Sequence, residues 1–323
     1  MSHTLQSHIA GRWLGNHPAT ALRSAINGQT VAHTHAEAID FAEAVHHARS
    51  VGLPNLLKLD FQQRADRLKA MAKFLNEHKE QLYAVSAHTG ATRADGWIDI
   101  EGGSGTLYAY AGLTLIGLIR ELLGSGTLFA YAGVGANELP SGNLVHEGPA
   151  LPLGKTNQFA GTHILVPRGG VAVHINAFNF PIWGLLEKFA PSFLAGMPCI
   201  GKPATATSYL TEAMVRIVNE SGILPAGALQ LVIGSTGDLL DRLDGRDVVT
   251  FTGSADTAAK LRVHPNVVRH SIPFNAEADS LNCAILAPEV TPDDEEFDLF
   301  VKEVVREMTV KAGQKCTAIR RAI

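Results

Sequence analysis

From Gly161 to Val263, short runs rich in β-branched and aliphatic residues alternate with segments whose apolar residues recur at helical spacing, and that alternation leaves few folds open. Residues from Thr162 to Val166 and from Gly170 to Ile175 read as strands split by Pro167 and Gly169-Gly170. Ile182 to Leu194 reads as a helix, Pro198 to Lys202 as a strand, and Thr207 to Glu220 as a helix stopped by Ser221-Gly222. Leu229 to Ile233, Asp238 to Leu243, Val248 to Phe251 and Ala255 to Val263 continue the series. Parallel strands need a crossover between them, and crossovers are right-handed, so the pattern predicts an α/β fold with a Rossmann-like parallel sheet and flanking helices. Ligands of such sheets sit at the carboxyl ends of the strands, so the loops after each strand are where chemistry is sought.

Composition narrows the partners. With 323 residues, 46% hydrophobic and 18% charged, the chain can bury a full core. A net charge of -4 provides no broad basic field, which argues against nucleic acid or an anionic membrane surface as the main partner. The longest apolar stretches are interrupted by Gly, Pro or charge, so no transmembrane helix is expected, and Met1-Ser2-His3-Thr4 does not open a signal peptide. Cys199, Cys283 and Cys316 are odd in number and far apart, which fits a reducing, cytoplasmic setting. Cys199 and Cys283 lie in apolar runs and are expected to be buried in strands. The 14 His show no metal-ligand spacing.

The first thirty-odd residues, with turn signals at Trp13-Leu14-Gly15-Asn16 and Asn27-Gly28, predict a short β-hairpin region at a sheet edge. Helical spacing follows from Ala36 to Arg49, and again from an N-cap at Asp60 through Leu68, Met71, Ala72, Phe74 and Leu75 to a stop at Gly90. A second hairpin is expected near residues 155–170. Gly103 to Gly112 returns almost unchanged as Gly124 to Gly133, an offset of 21 residues, which marks 103–123 as a duplicated helical insert. Twenty-one residues are nearly six helical turns, so a helix absorbs them by growing roughly 30 Å while nearly keeping its phase.

Chemistry concentrates in five stretches taken in order: Asn176-Ala177-Phe178-Asn179-Phe180-Pro181, Lys202-Pro203-Ala204-Thr205, Phe251-Thr252-Gly253-Ser254, Glu277, and Gly313-Gln314-Lys315-Cys316-Thr317. Taken singly each has an ordinary reading: a turn residue, a solvated lysine, a helix cap, a surface carboxylate, a small residue in a loop. As an ordered set they resemble the aldehyde dehydrogenase superfamily. That resemblance implies Cys316 as nucleophile, the Asn179 amide as an oxyanion donor, and Glu277 as the base that activates water, with Asp279 its nearest competitor. It also implies a dinucleotide held by Lys202, Thr205, Gly237, Phe251, Gly253, Ser254 and Thr257. The usual Gly-x-Gly-x-x-Gly is absent; Gly234-Ser235-Thr236-Gly237-Asp238 stands after the Leu229 strand, and Ser254 opens a helix whose dipole favours a phosphate.

Several departures from the family pattern carry expectations of their own. Thr205 stands where NAD-preferring members often have a glutamate, and a hydroxyl beside a lysine ammonium can bind a 2′-phosphate, so NADP is the expected cofactor. Ala258 replaces a frequent glycine, adding a methyl near the cofactor, and Gly201 replaces an apolar strand residue. Glu277-Ala278-Asp279-Ser280 stands for the usual Glu-Leu-Gly-Gly. Thr89 to Gly102, Val173 to Pro181, Lys202 to Thr207, Glu277 to Asn282, Val304 to Met308 and Gln314 to Arg321 most resemble the branch that oxidises a CoA-linked semialdehyde from aromatic-derived ring opening in phenylacetate degradation, with the related semialdehyde dehydrogenases of benzoyl-CoA degradation as the alternative. The resemblance implies a cofactor-binding domain over 1–277, a catalytic domain that only begins at 278–323, and a homo-oligomer at full length. Family members continue beyond this point, so a fragment of an NADP-dependent aldehyde dehydrogenase is expected, active with the remainder present; the competing reading is a stand-alone dinucleotide-binding module. An exposed apolar end, Ala318-Ile319 and Ala322-Ile323, favours the first.

Overall fold

The structure, a computed structural model, describes residues 3–101, 126–155 and 158–323. The expected insert, 103–123, lies outside the described residues. The chain opens with β1 (His3–Thr4), β2 (Ser7–Ile9), β3 (Arg12–Leu14), β4 (Pro18–Arg23) and β5 (Thr30–His35). β2 and β3 form an antiparallel hairpin turned at Ala10-Gly11, both at positive φ, while β1, β5 and β4 make a separate three-stranded sheet. The expected edge hairpin is therefore present, with its turn a few residues before Trp13 and a second turn at Asn27-Gly28 between β4 and β5.

Helix α1 (Phe41–His47) begins later than Ala36 because Asp40 is its cap, its carboxylate accepting from the Glu43 N–H. After α2 (Leu53–Leu57), Asp60 and Gln63 close a capping box on α3 (Phe61–Glu77), which buries Leu68, Met71, Ala72 and Leu75. The helical pattern running to Gly90 is divided: non-helical backbone at His78 separates α4 (Lys79–Ser86), and Gly90 at φ 85 ends the block. Then come α5 (Arg93–Ile100), capped by Thr92, and α6 (Gly126–Asn137).

β6 (Val145–Leu153) and β7 (Phe159–Leu165) pair only with each other among the described residues, as an antiparallel ribbon. This hairpin lies earlier than residues 155–170, because Gly148, Pro149 and Pro152 mask its first arm as a strand and the register shifts between Glu147 and Leu151. The main sheet is built from β8 (Ala172–Ile175), α7 (Trp183–Leu194), β9 (Cys199–Lys202), α8 (Ser208–Glu220), β10 (Leu229–Leu231), β11 (Val248–Gly253), α9 (Ala255–Arg262), α10 (Pro265–Arg269) and β12 (Phe274–Ala278). Its order is β12-β11-β8-β9-β10-β2-β3, the first five strands parallel and the hairpin antiparallel at the edge. Successive strands step from β8 to β10 on one side and then return to β11 on the other, which opens a crevice between β8 and β11 at their carboxyl ends.

Both faces of this sheet are buried, as parallel strands require. Cys199, Leu229 and Leu231 pack with Leu185, Phe189, Phe193 and Met214 on one face, while Val173, Ile200, Val249 and Phe251 pack with Leu240 and Ile272 on the other. Each fully buried side chain of this size contributes about 1.5 to 3 kcal/mol. Gly201 belongs to this packing: a Cβ there would lie 2.8 Å from Leu185 Cδ1, so the helix above leaves no room for the usual apolar residue. A short parallel ribbon of β13 (Cys283–Ala284) and β14 (Arg321–Ala322) flanks α11 (Glu295–Thr309) in sequence. Cys199 is buried as expected, but Cys283 is exposed, since the two-residue strand that carries it has no described layer over its outer face. The apolar end is also divided: Ala318 is buried, whereas Ile323 is 69% exposed.

Candidate active site

Five strand ends supply the site. The segment after β8 carries Asn176 to Pro181, and two hydroxyls of α8 and its preceding turn hold it: Thr207 Oγ1 donates to the Phe178 carbonyl at 3.0 Å and Thr211 Oγ1 to the Pro181 carbonyl at 2.7 Å. This leaves the Asn179 amide, half-buried, donating from Nδ2 to the Gln314 carbonyl at 3.1 Å, two residues before the thiol. Cys316 sits in an exposed turn beyond α11. Asn282 ties that turn down by donating from Nδ2 to the carbonyls of Cys316 and, at 3.2 Å, Ala318. Sequence reasoning left Asn282 out, because an asparagine before a strand carries no local signal of a partner 34 residues on.

Glu277 stands near the end of β12, exposed, with Thr252 Oγ1 donating to its Oε2 at 3.5 Å from the neighbouring β11. Its carboxylate is near enough to act on the titration of the Cys316 thiol. Burial pushes the thiol above its ordinary value first, and the nearby charge and hydrogen bond of Glu277 push it further; Glu187 adds in the same sense. The fold therefore brings together Cys316, Glu277 and Asn179 from three distant parts of the chain. Asp279, at φ 50, lies just past β12, and its backbone N–H donates to the Gly253 carbonyl.

The residues named for the dinucleotide spread along the same edge. Lys202 ends β9; burial lowers its pKa, and among the described residues its ammonium has no hydrogen-bond or ion-pair partner. Thr205, half-buried, opens the turn into α8. Ser254 caps α9, its Oγ accepting from Thr257 N–H at 3.3 Å and donating to Thr257 Oγ1 at 3.0 Å. Phe251 differs from its expected place: its side chain is in the core, and its ring presses on Gly253, where a Cβ would lie 2.5 Å from Cζ. It can shape the loop but not touch a ligand with its ring. Gly237, at φ 46, is likewise backed by Phe41, 2.6 Å from where a Cβ would be. The Ala258 methyl is buried in the core with Phe251.

The sequence from residue 15 to 323 matches the family model described as the aldehyde dehydrogenase family. The chain belongs to the aldehyde dehydrogenase family. It is 44% identical to a 3,4-dehydroadipyl-CoA semialdehyde dehydrogenase of Aromatoleum evansii over 99% of this chain and 58% of that protein. It is 27% identical to an N-succinylglutamate 5-semialdehyde dehydrogenase of Escherichia coli O157:H7, over 98% of this chain and 57% of the relative. In fold it is similar to lactaldehyde dehydrogenase from Escherichia coli, with a TM-score of 0.75 at 20% identity over 100% of this chain and 61% of that one. Betaine aldehyde dehydrogenase from Staphylococcus aureus, solved in complex with NAD+, has a TM-score of 0.74 at 20% identity, covering 98% and 57%. This aldehyde dehydrogenase chain thus spans less than two thirds of the length of these relatives. Among its described residues no helix is long and apolar enough to cross a membrane, and no group of three or more His, Cys, Asp and Glu could hold a metal.

Proposed function

We propose that the chain carries the cofactor site and nucleophile of an NADP-dependent enzyme that oxidises a CoA-linked semialdehyde from aromatic ring opening to its carboxylic acid. The juxtaposition of the Cys316 thiol with the Glu277 carboxylate, and of Asn179 with the same loop, carries this reading. The relative from Aromatoleum evansii, named for a CoA-linked semialdehyde, suggests the substrate class. Residues 1–277 then form the dinucleotide-binding part and 278–323 begin the catalytic domain. The assembly proposed is a homo-oligomer in the cytoplasm.

The thiol is protonated at neutral pH and releases its proton to solvent as Sγ adds to the aldehyde carbon, which leaves Glu277 as the carboxylate. The oxyanion that forms takes hydrogen bonds from the Asn179 amide and the Cys316 backbone N–H. One Asn179 proton is committed to Gln314, and the second is free to turn toward substrate. Losing one such donor costs about 3 to 4 kcal/mol of barrier. The dinucleotide, when bound, accepts the hydride. The residues along the sheet edge fit it: a half-buried ammonium at Lys202 without a partner among the described residues, a hydroxyl at Thr205, and a helix start at Ser254. Glu277 then takes a proton from water as the oxygen attacks the cysteine thioester, releasing the acid and restoring the thiol.

The test uses the protein at the full length of its relatives. Glu277→Gln should transfer hydride once and stall, so NADPH appears in a burst about equal to the enzyme and then nearly stops. Cys316→Ala should show no burst. Steady turnover of Glu277→Gln would move the base elsewhere, Asp279 being nearest in sequence; a parent that turns over only with free CoA would belong to the acylating class.

A further inference from the structure

Two carboxylates one helical turn apart on α5 reach the two loops that meet at the thiol. Asp99, 2% exposed, accepts from the backbone N–H groups of Ile182 and Trp183 at 3.1 and 2.9 Å, so it holds the start of α7 just beyond Asn179. Asp95 closes the capping box on Thr92 with Oδ2, and with Oδ1 accepts from the backbone N–H of Lys311 at 2.8 Å. Lys311 and Ala312 both have positive φ, 54 and 51, a conformation that residues with side chains keep only where their surroundings impose it. The Lys311 ammonium turns inward, under the pull of Asp99 and Asp95, and lies 4.7 Å from the ring centre of Phe180, the residue after Asn179. The bond from Asn179 to Gln314 completes the circuit. Helix α5, the Asn179 loop and the turn that leads to Cys316 are thereby joined pairwise.

We infer that Asp95 and Asp99 are positioning residues that set the oxyanion donor and the nucleophile in register, with α5 as their common mount. Neither carboxylate is bonded to the thiol. Asp99 fixes the donor loop through main-chain amides, and Asp95 fixes the left-handed turn five residues ahead of Cys316, so a change at either is felt as a displacement of reacting groups. Displacements of about 1 Å at a reacting centre can cost about 100-fold in rate. Burial raises Asp99 to about 6, against the opposing pull of Lys311 and the two amides, so it is ionised and facing Lys311 at neutral pH.

The inference rests on Cys316 as the nucleophile, but its test needs no turnover. In a Cys283→Ser background, with Cys199 buried, Cys316 is the one accessible thiol among the described residues, and its rate of alkylation by iodoacetamide is followed against pH. The parent profile should lie above that of a free thiol, because burial, Glu277 on β12 and Glu187 on α7 all raise it. Asp95→Ala should release the turn, move the profile down toward the ordinary thiol value of about 8.5, and raise the rate near neutral pH about threefold or more. NADP binding, which depends on other strand ends, should change less than about twofold, a negligible shift on the affinity scale. Asp95→Asn gives up the bond from Thr92 N–H but can still face its oxygen to Lys311 N–H, so it should keep most of the parent profile. Lys311→Met keeps the main-chain bond to Asp95 but removes the ammonium that links the turn to Asp99 and to the Phe180 ring, so it should shift the profile the same way, which keeps the test open if Asp95→Ala does not fold. Lower thermal stability with unmoved profiles in Asp95→Ala, or an unmoved profile in Lys311→Met when Asp95→Ala fails to fold, would overturn the inference. Activity retained in Cys316→Ala would instead remove the nucleophile assignment and leave the alkylation result standing.

Discussion

A threonine and a histidine decide different matters at the carboxyl edge and the centre of the sheet. Thr205 is half-buried three residues after Lys202, and a carboxylate there would repel a 2′-phosphate. Thr205→Glu should therefore reverse the preference for NADP over NAD; titration of both nucleotides against parent and variant checks this, and a parent that prefers NAD removes the argument. His174 is fully buried in β8, its Nδ1 2.8 Å from Thr250 Oγ1 and its Nε2 3.3 Å from Ser192 Oγ. Burial and Lys188 lower its pKa to about 3, well below the ordinary 6.5. Between those values the unfolded chain binds the proton and the folded chain does not, so stability rises with pH through that window and is lost on acidification. In His174→Gln the stability-versus-pH slope below about pH 6.5 should be shallower by up to about 1.4 kcal/mol per pH unit, measured by urea unfolding at several pH values.

Between elements, Arg64 is a buried polar tie. Fully buried on α3, it donates from Nε to the Leu194 carbonyl at 2.7 Å and from Nη1 to those of Leu56 and Leu59, binding α3 to the ends of α7 and α2. Burial lowers its pKa only to about 10, so it remains charged and its charge is spread over helix-end carbonyls. Arg64→Met keeps the apolar stem and strands three carbonyls, at a cost of roughly 3 kcal/mol or more. A fall in Tm of about 4 °C or more is expected by calorimetry. Such ties explain which parts of the fold were readable in advance. The parallel strands and the caps Asp60 and Ser254 are written in adjacent residues, and structure and sequence agree on them. The break at His78, the exposure of Cys283 and the inward turn of Phe251 depend on what packs there from afar. At the candidate site, motifs point to Cys316, Glu277 and Asn179, whereas Asp95, Asp99 and Asn282 bond distant main chain and leave no local pattern.

At the scale of the whole molecule, the β6–β7 ribbon projects Leu151, Leu153, Phe159, Ile164, Leu165 and Val166, each 46 to 71% exposed. A homo-oligomer, as proposed, would cover such a surface. Replacing Leu153 and Phe159 by Ser should lower the mass seen by light scattering toward a single chain while leaving the circular dichroism spectrum unchanged; an unaltered mass would free this ribbon of any part in assembly. The main sheet has a different consequence, one for how the molecule comes into being. Its edge hairpin leaves the ribosome well before the strand it pairs with through His8 and Leu231, which follows about 220 residues later, some 10 to 45 s at usual synthesis rates. For that time Ile9 and Trp13 have no sheet to lie against, and the nascent chain carries an unpaired strand edge that a second nascent chain could meet first.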